Sequence, residues 1–235
     1  MAADFEKKAP SSNVATSKIL NWHDSVIALG LIIVGTLILN SALFFHLLTL
    51  STNSSWIFNW ILHLWFLAIP LIWYLALKKR FPIGKLGSKT IRQWLPSWII
   101  LLAIAIPITT FETLLFHEKM SLAGFTSLSI IMNLLFVSVL VGISEEFVFR
   151  GQVQTGLNNS VKKTLKLGKG SIRLGTILAA LAFAALHFPD ISSIPFAFVF
   201  GILVGYFYDK TNNIWGAVII HNMVDLLTLI IPILL

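Results

Sequence analysis

Three stretches of the chain set ionisable side chains within otherwise apolar runs: Ser144-Glu145-Glu146-Phe147-Val148-Phe149-Arg150, Phe183-Ala184-Ala185-Leu186-His187 and His221-Asn222-Met223-Val224-Asp225. On a helix Glu146 and Arg150 stand at i and i+4 and pair along one face, leaving Glu145 turned about 100° away and free to act. His221 and Asp225 share that spacing, so Asp225 contacts the imidazole or stands beside it facing the same cavity. Such a set admits two chemistries. In one, Glu145, oriented by His187, deprotonates a water that attacks a peptide carbonyl, and His221 with Asp225 stabilises the oxyanion. In the other, His187, His221 and Asp225 bind Zn²⁺ and Glu145 is the base acting on the metal-bound water. The HExxH arrangement is absent, so spacing leaves both open.

The elements that carry these residues belong in a bilayer. Charged residues make up 11% of the 235-residue chain, apolar ones 57%, and the mean hydropathy is +0.86; a soluble domain carries roughly 25% charge. Apolar spans are expected near Ser25 to Leu50, Trp56 to Leu77, Trp98 to Phe116, Leu128 to Arg150 or beyond, Leu174 to Phe188, Ile194 to Tyr208 and Ile214 to Leu235, several of them long enough to cross about 30 Å of hydrocarbon. The predicted fold is all-α, a polytopic membrane bundle of about seven transmembrane helices. A polar cytoplasmic segment 1–24 precedes one transmembrane domain, 25–235, with its catalytic core at about 128–235. The polar start argues against a cleaved signal peptide. With no cysteine, disulfides, thiolate metal sites and a thiol nucleophile are excluded.

The net charge of +7 reports topology rather than nucleic acid, because Lys and Arg cluster in loops between apolar runs. Lys78, Lys79, Arg80, Lys85, Lys89 and Arg92 form one such loop, and Lys162, Lys163, Lys166, Lys169 and Arg173 another. Seven spans put both on the side of Lys7, Lys8, Lys18 and Lys210, leaving Lys119 for the other face and making the N-terminus cytoplasmic. An ionisable group within the bilayer costs at least ~2.5 to 3.5 kcal/mol on insertion scales, so each needs a partner, a wet cavity or a function. Glu145 reaches the depth of His187 only if its helix runs on past Arg150 to about Asn159. The expectation is then that Arg150, Gln152 and Gln154 line a wet, cytoplasm-facing cavity, with Gly151 and Gly156 weakening the helix.

At these residues the chain resembles the CPBP family, the CAAX-protease and bacteriocin-processing membrane proteins also called Abi. The family pattern EExxxR, FxxxH and HxxxN or HxxxD is matched by Glu145-Glu146 with Arg150, Phe183 with His187, and His221 with Asp225. The resemblance implies an intramembrane endopeptidase in which Glu145 and His187 activate water while His221 and Asp225 form the oxyanion site. Glu146, Arg150 and Phe183 support them. The metal-free route is adopted, with zinc as the alternative cofactor. Asp225 stands where prenyl-protein proteases of the family carry Asn; an ionised Asp cannot donate to an oxyanion, so it is protonated, donates through water or orients His221. The implied substrates are membrane-associated peptides or protein tails entering from the cytoplasmic leaflet, in bacterial peptide processing or bacteriocin self-immunity. The alternatives are a non-catalytic immunity or scaffold protein binding a peptide or receptor, and a proton-coupled transporter, for which no inverted repeat is visible.

Other polar and aromatic residues carry plainer expectations. His23, His46, His63 and His117 read as interfacial or structural histidines. Trp22, Trp56, Trp60, Trp94, Trp98 and Trp215 fall near helix ends and read as an aromatic belt. Glu112 reads as a carboxylate snorkelling to the interface.

Overall fold

In hydrocarbon every backbone N–H and C=O must be satisfied within the segment, so uninterrupted apolar runs become helices. The computed structural model describes residues 18–44, 56–116, 127–168, 170–188 and 190–235. Lys7, Lys8, His46, His117, Lys119, Lys169 and Pro189 lie outside them. Among the described residues seven helical rods follow in order: α1 (Trp22–Phe44), α2 (Trp56–Leu75), α3 (Ser88–Phe116), α4 (Ser127–Ser160), α5 (Leu174–Ala185), α6 (Ser193–Thr211) and α7 (Trp215–Leu234). Four of them, over Trp22–Leu39, Ser88–Leu115, Ser127–Ser160 and Trp215–Leu234, are long and apolar enough to cross a membrane, and most of each faces outward. Ile33, Leu37, Ile38, Ile99, Phe111 and Leu128 are among the exposed apolar side chains that a bilayer would cover. The chain is a polytopic helical membrane protein.

Two differences from the expected spans matter. The third helix begins at Ser88 rather than Trp98, carrying Pro96 and Pro107 within it. The fifth ends at Ala185, and Leu186 to Phe188 form a turn, so α5 is about 18 Å long, too short to cross alone. Two small ribbons join the helices: β1 (Lys18–Ile19) pairs in parallel with β2 (Lys79–Arg80), and β3 (Thr164–Leu167) pairs antiparallel with β4 (Gly170–Arg173). The first ribbon is tied by Lys79 Nζ, 2.6 and 2.7 Å from the buried Asp24 carboxylate, which also accepts from Trp73 Nε1 at 2.9 Å.

The long α4 is the axis of the bundle, packed by α1, α2, α5, α6 and α7. Its i→i+4 bonding is interrupted by two π-helical stretches, Phe136–Leu140 and Phe147–Gln154, on either side of the segment that holds the two glutamates; such wide turns recur at functional sites. Because neighbours surround it, residues 148–154 are all buried. This corrects the expectation that Arg150, Gln152 and Gln154 line a wet cavity: all three are fully buried. Gln154 Nε2 donates to the Gly205 carbonyl and to Asp209 Oδ1, each at 2.9 Å. Gly151 and Gly156 are points of close approach rather than weak links, since a Cβ would strike the Phe81 ring at the first and Ser25 with the Asn21 backbone at the second. Trp94 is likewise no belt residue: it is fully buried and its indole lies where a Cβ on Gly216 would fall.

Candidate active site

Glu145 and Glu146 project from adjacent faces of α4 and take different partners. Glu146 is fully buried; its Oε2 lies 2.9 Å from Arg150 Nε, and its Oε1 accepts from His221 Nδ1 at 2.7 Å. The i and i+4 pairing read from the sequence is therefore present, with α7 bound into it. The Arg150 guanidinium lies 5.0 Å from the centroid of the Phe183 ring. Phe183 in turn meets His187 at 5.0 Å and His221 at 5.9 Å between ring centroids. One aromatic ring thus separates the cation from the two imidazoles and fixes the spacing of both.

Glu145 occupies the gap between α2 and α7. Its Oε1 lies 3.1 Å from His63 Nε2, and its Oε2 lies 3.6 Å from His221 Nε2, within ion-pair range but beyond a hydrogen bond. Of the two readings of His63, interfacial or structural, burial removes the first, and its Nδ1 lies 2.9 Å from the Asn59 carbonyl. A carbonyl only accepts, so Nδ1 carries hydrogen, and the contact between Nε2 and Glu145 then holds one proton shared between ring and carboxyl. Sequence reasoning assigned the orientation of Glu145 to His187; His63 supplies the hydrogen bond instead. Its signal was available, since His63 lies deep in an apolar span and carries the cost already charged to the glutamates.

His187 sits in the turn after α5, where its Nδ1 bonds the Phe183 carbonyl at 3.1 Å, one helical turn back. The same logic leaves Nε2 with its lone pair directed away from the helix. Asp225 Oδ2 lies 3.6 Å from His221 Nε2. The α4 and α7 backbones are locked at this level by Gly142 N donating to Asn222 Oδ1 at 2.8 Å, a contact that no motif announced.

Two cavities lie on either side of Phe183 and His187, which line both. The larger, about 320 Å³, runs between α3, α5, α6 and α7 and is lined by Glu112, His187, Asp190, Phe200, His221 and Asp225 among others. The smaller, about 200 Å³, is lined by Thr36, Leu62, His63, Phe66, Glu145 and His187 among others. Glu112, read as a snorkelling carboxylate, is half-buried in the larger cavity wall. Of the four expected catalytic residues, Glu145 lines the smaller cavity, His221 and Asp225 the larger, and His187 both.

Zinc would need three ligands converging on one point. Among the described residues no group of three His, Asp or Glu side chains is placed to hold a metal ion. The residues as arranged do not fit the ion, and the chemistry is developed through the side chains alone.

Residues 126–227 match the family model described as Type II CAAX prenyl endopeptidase Rce1-like. No curated protein and no solved structure gives a match. The matched stretch holds all three polar motifs and leaves out α1 to α3, which bring His63 and Glu112.

Proposed function

We propose that the chain, whose residues 126–227 match the Rce1-like type II CAAX prenyl endopeptidase model, belongs to that family, also called CPBP or Abi, and that it hydrolyses peptide bonds within the bilayer with Glu145 as general base. The observation that carries this reading is one carboxylate held between two imidazoles, His63 at 3.1 Å and His221 at 3.6 Å, and lining a cavity together with His187.

A water beside this carboxylate gives its proton to Glu145 as its oxygen attacks the scissile carbonyl. His187, with Nδ1 tied to Phe183, offers its Nε2 lone pair to the same water. The oxyanion that forms is met by His221, which carries its Nε2 proton toward the cavity while Nδ1 donates to Glu146. Asp225 orients that ring from the cavity side and is not itself a donor when ionised. The proton taken by Glu145, shared with His63, goes to the departing amine when the C–N bond breaks. Water added across the peptide bond leaves a carboxylic acid and an amine, and the base returns to its starting state.

Glu145→Gln keeps the shape of the side chain and removes its basicity. Purified and assayed in liposomes with membrane-associated peptides, it is expected to lose activity by about 10² to 10⁴-fold while retaining wild-type yield and melting behaviour. Cleavage at the wild-type rate by Glu145→Gln would reject this assignment. Retained peptide binding without cleavage in both proteins would instead favour a non-catalytic immunity or scaffold role.

A further inference from the structure

A third cavity, of about 440 Å³, lies between residues 84–93 and the turn from α6 to α7, apart from the two beside the glutamates. Hydrogen bonds hold its wall in place: the Lys85 carbonyl accepts from Thr90 Oγ1 at 2.6 Å and from Asn213 Nδ2 at 3.0 Å, and Ile214 N donates to Ile83 O at 3.0 Å. Gly84, at φ +73°, passes close enough to Asn213 that a Cβ would strike its side chain. The loop is therefore preformed, with Lys85 and Lys89 exposed on the cavity wall. Among the described residues no Asp or Glu lines this cavity, whereas Glu112, Asp190 and Asp225 line the larger one beside the glutamates. Neither lysine pairs with a carboxylate among the described residues. Depth matters as much as charge. Helix α3 has 29 residues and is about 43 Å long, while its apolar run from Trp98 to Phe116, about 28 Å, by itself fills the hydrocarbon. The turns before it, Ser88 to Ser97, then stand in the headgroup layer and its aqueous edge. Gln93, on the cavity wall, is followed on the same helical face at i+3 and i+7 by Pro96 and Ile100, both exposed.

We propose that this cavity binds the headgroup of an anionic phospholipid from the leaflet that the basic loops face, with Lys85 and Lys89 pairing with its phosphate and an acyl chain descending along Pro96 and Ile100. The positive-inside bias makes that leaflet the cytoplasmic one, which is also the leaflet rich in anionic lipid. A free phosphate ion would meet the lysines but leave the apolar path below them unused, so the lipid makes the fuller set of contacts. Leu86, exposed on the same wall, adds apolar surface at the level of the glycerol and upper chains. The site also bears on the rest of the bundle. Asn213, which ties the loop, accepts from Trp215 N at 3.0 Å in the first turn of α7, so a filled cavity clamps the start of the helix that carries His221 and Asp225.

The test titrates the purified protein, delipidated in detergent, with phosphatidylglycerol, phosphatidylcholine or inorganic phosphate, and reads bound lipid by native mass spectrometry and melting temperature by thermal unfolding. The wild type is expected to retain phosphatidylglycerol in preference to phosphatidylcholine and to melt higher with it. The double variant Lys85→Gln/Lys89→Gln is expected to bind phosphatidylglycerol about 30-fold more weakly, which is about 2 kcal/mol at tenfold per 1.4 kcal/mol. Lys162→Gln/Lys163→Gln, on the other basic loop, should bind as the wild type does, and so should Lys85→Arg/Lys89→Arg, which keeps the charge. Equal retention of the two lipids by the wild type would overturn the proposal without recourse to any variant. Unchanged affinity in Lys85→Gln/Lys89→Gln, or an equal loss in Lys162→Gln/Lys163→Gln, would overturn it as well. Inorganic phosphate that raises the melting temperature as far as phosphatidylglycerol does would overturn the lipid as occupant. None of these readings depends on hydrolysis, so they stand or fall apart from the protease assignment.

Discussion

His63 separates what one side chain can disclose from what only packing can. Its ring is fixed through Asn59 and shares a proton with Glu145, so it is a positioning residue whose loss should alter the timing of proton transfer. His63→Ala is expected to lower kcat by about 10²-fold, with a smaller change in KM and a displaced pH profile; an unchanged profile would reduce His63 to a packing role. The buried pair behind it should respond differently. Removing one partner of a buried ion pair costs about 3 to 5 kcal/mol, so Glu146→Ala or Arg150→Ala should reduce yield and melting temperature, whereas Glu145→Gln should not. Metal content gives a third test: the purified protein is expected to hold no stoichiometric zinc and to cleave equally before and after chelation. One zinc per chain, lost and restored together with activity, would reassign His187, His221 and Asp225 as ligands. The motif residues were legible because charge in an apolar run is conspicuous. His63 stood in an apolar run just as visibly, but its partner lies 82 positions away and a lone membrane histidine has many structural uses, so it was read as interfacial or structural.

Among the elements, the seven apolar spans were readable and their ends were not. Proline at 96 did not start α3, since its helix was already under way from Ser88, and α5 stopped early although Leu186 to Phe188 continue its apolar run. The inner character of α4 was misread for a physical reason: Arg150, Gln152 and Gln154 look like water-facing residues, yet the helices packed around this stretch enclose them. Gly142 shows how tightly that enclosure is set. A Cβ there would fall on the Asn222 side chain and within 2.9 Å of the Val218 carbonyl. Gly142→Ala is accordingly expected to push α7 from α4, costing about 1 to 3 kcal/mol and carrying His221 away from both glutamates. Thermal unfolding in detergent together with cleavage rate measures this; loss of activity without loss of stability would mean that the helices shift rather than come apart.

For the molecule as a whole, the charge pattern was visible in the sequence and the cavities were not. The basic loops orient the bundle, while the depth of the working residues follows from how far α5 reaches before it turns. The enclosure of α4 also bears on how the protein is made. This helix is synthesised before His221 and Asp209 exist, so the carboxylate and amide groups it carries must enter lipid without the partners they later acquire. During that interval the charge available to Glu146 from its own helix is Arg150, one turn away, and an intrahelical pair lowers the entry cost of two charges that would each cost about 2.5 to 3.5 kcal/mol alone. The pair then acts first as a passport for insertion and only afterwards as part of the finished core, so that the yield lost in Arg150→Ala should be lost during biogenesis, and the lower melting temperature belongs to the fraction that inserts.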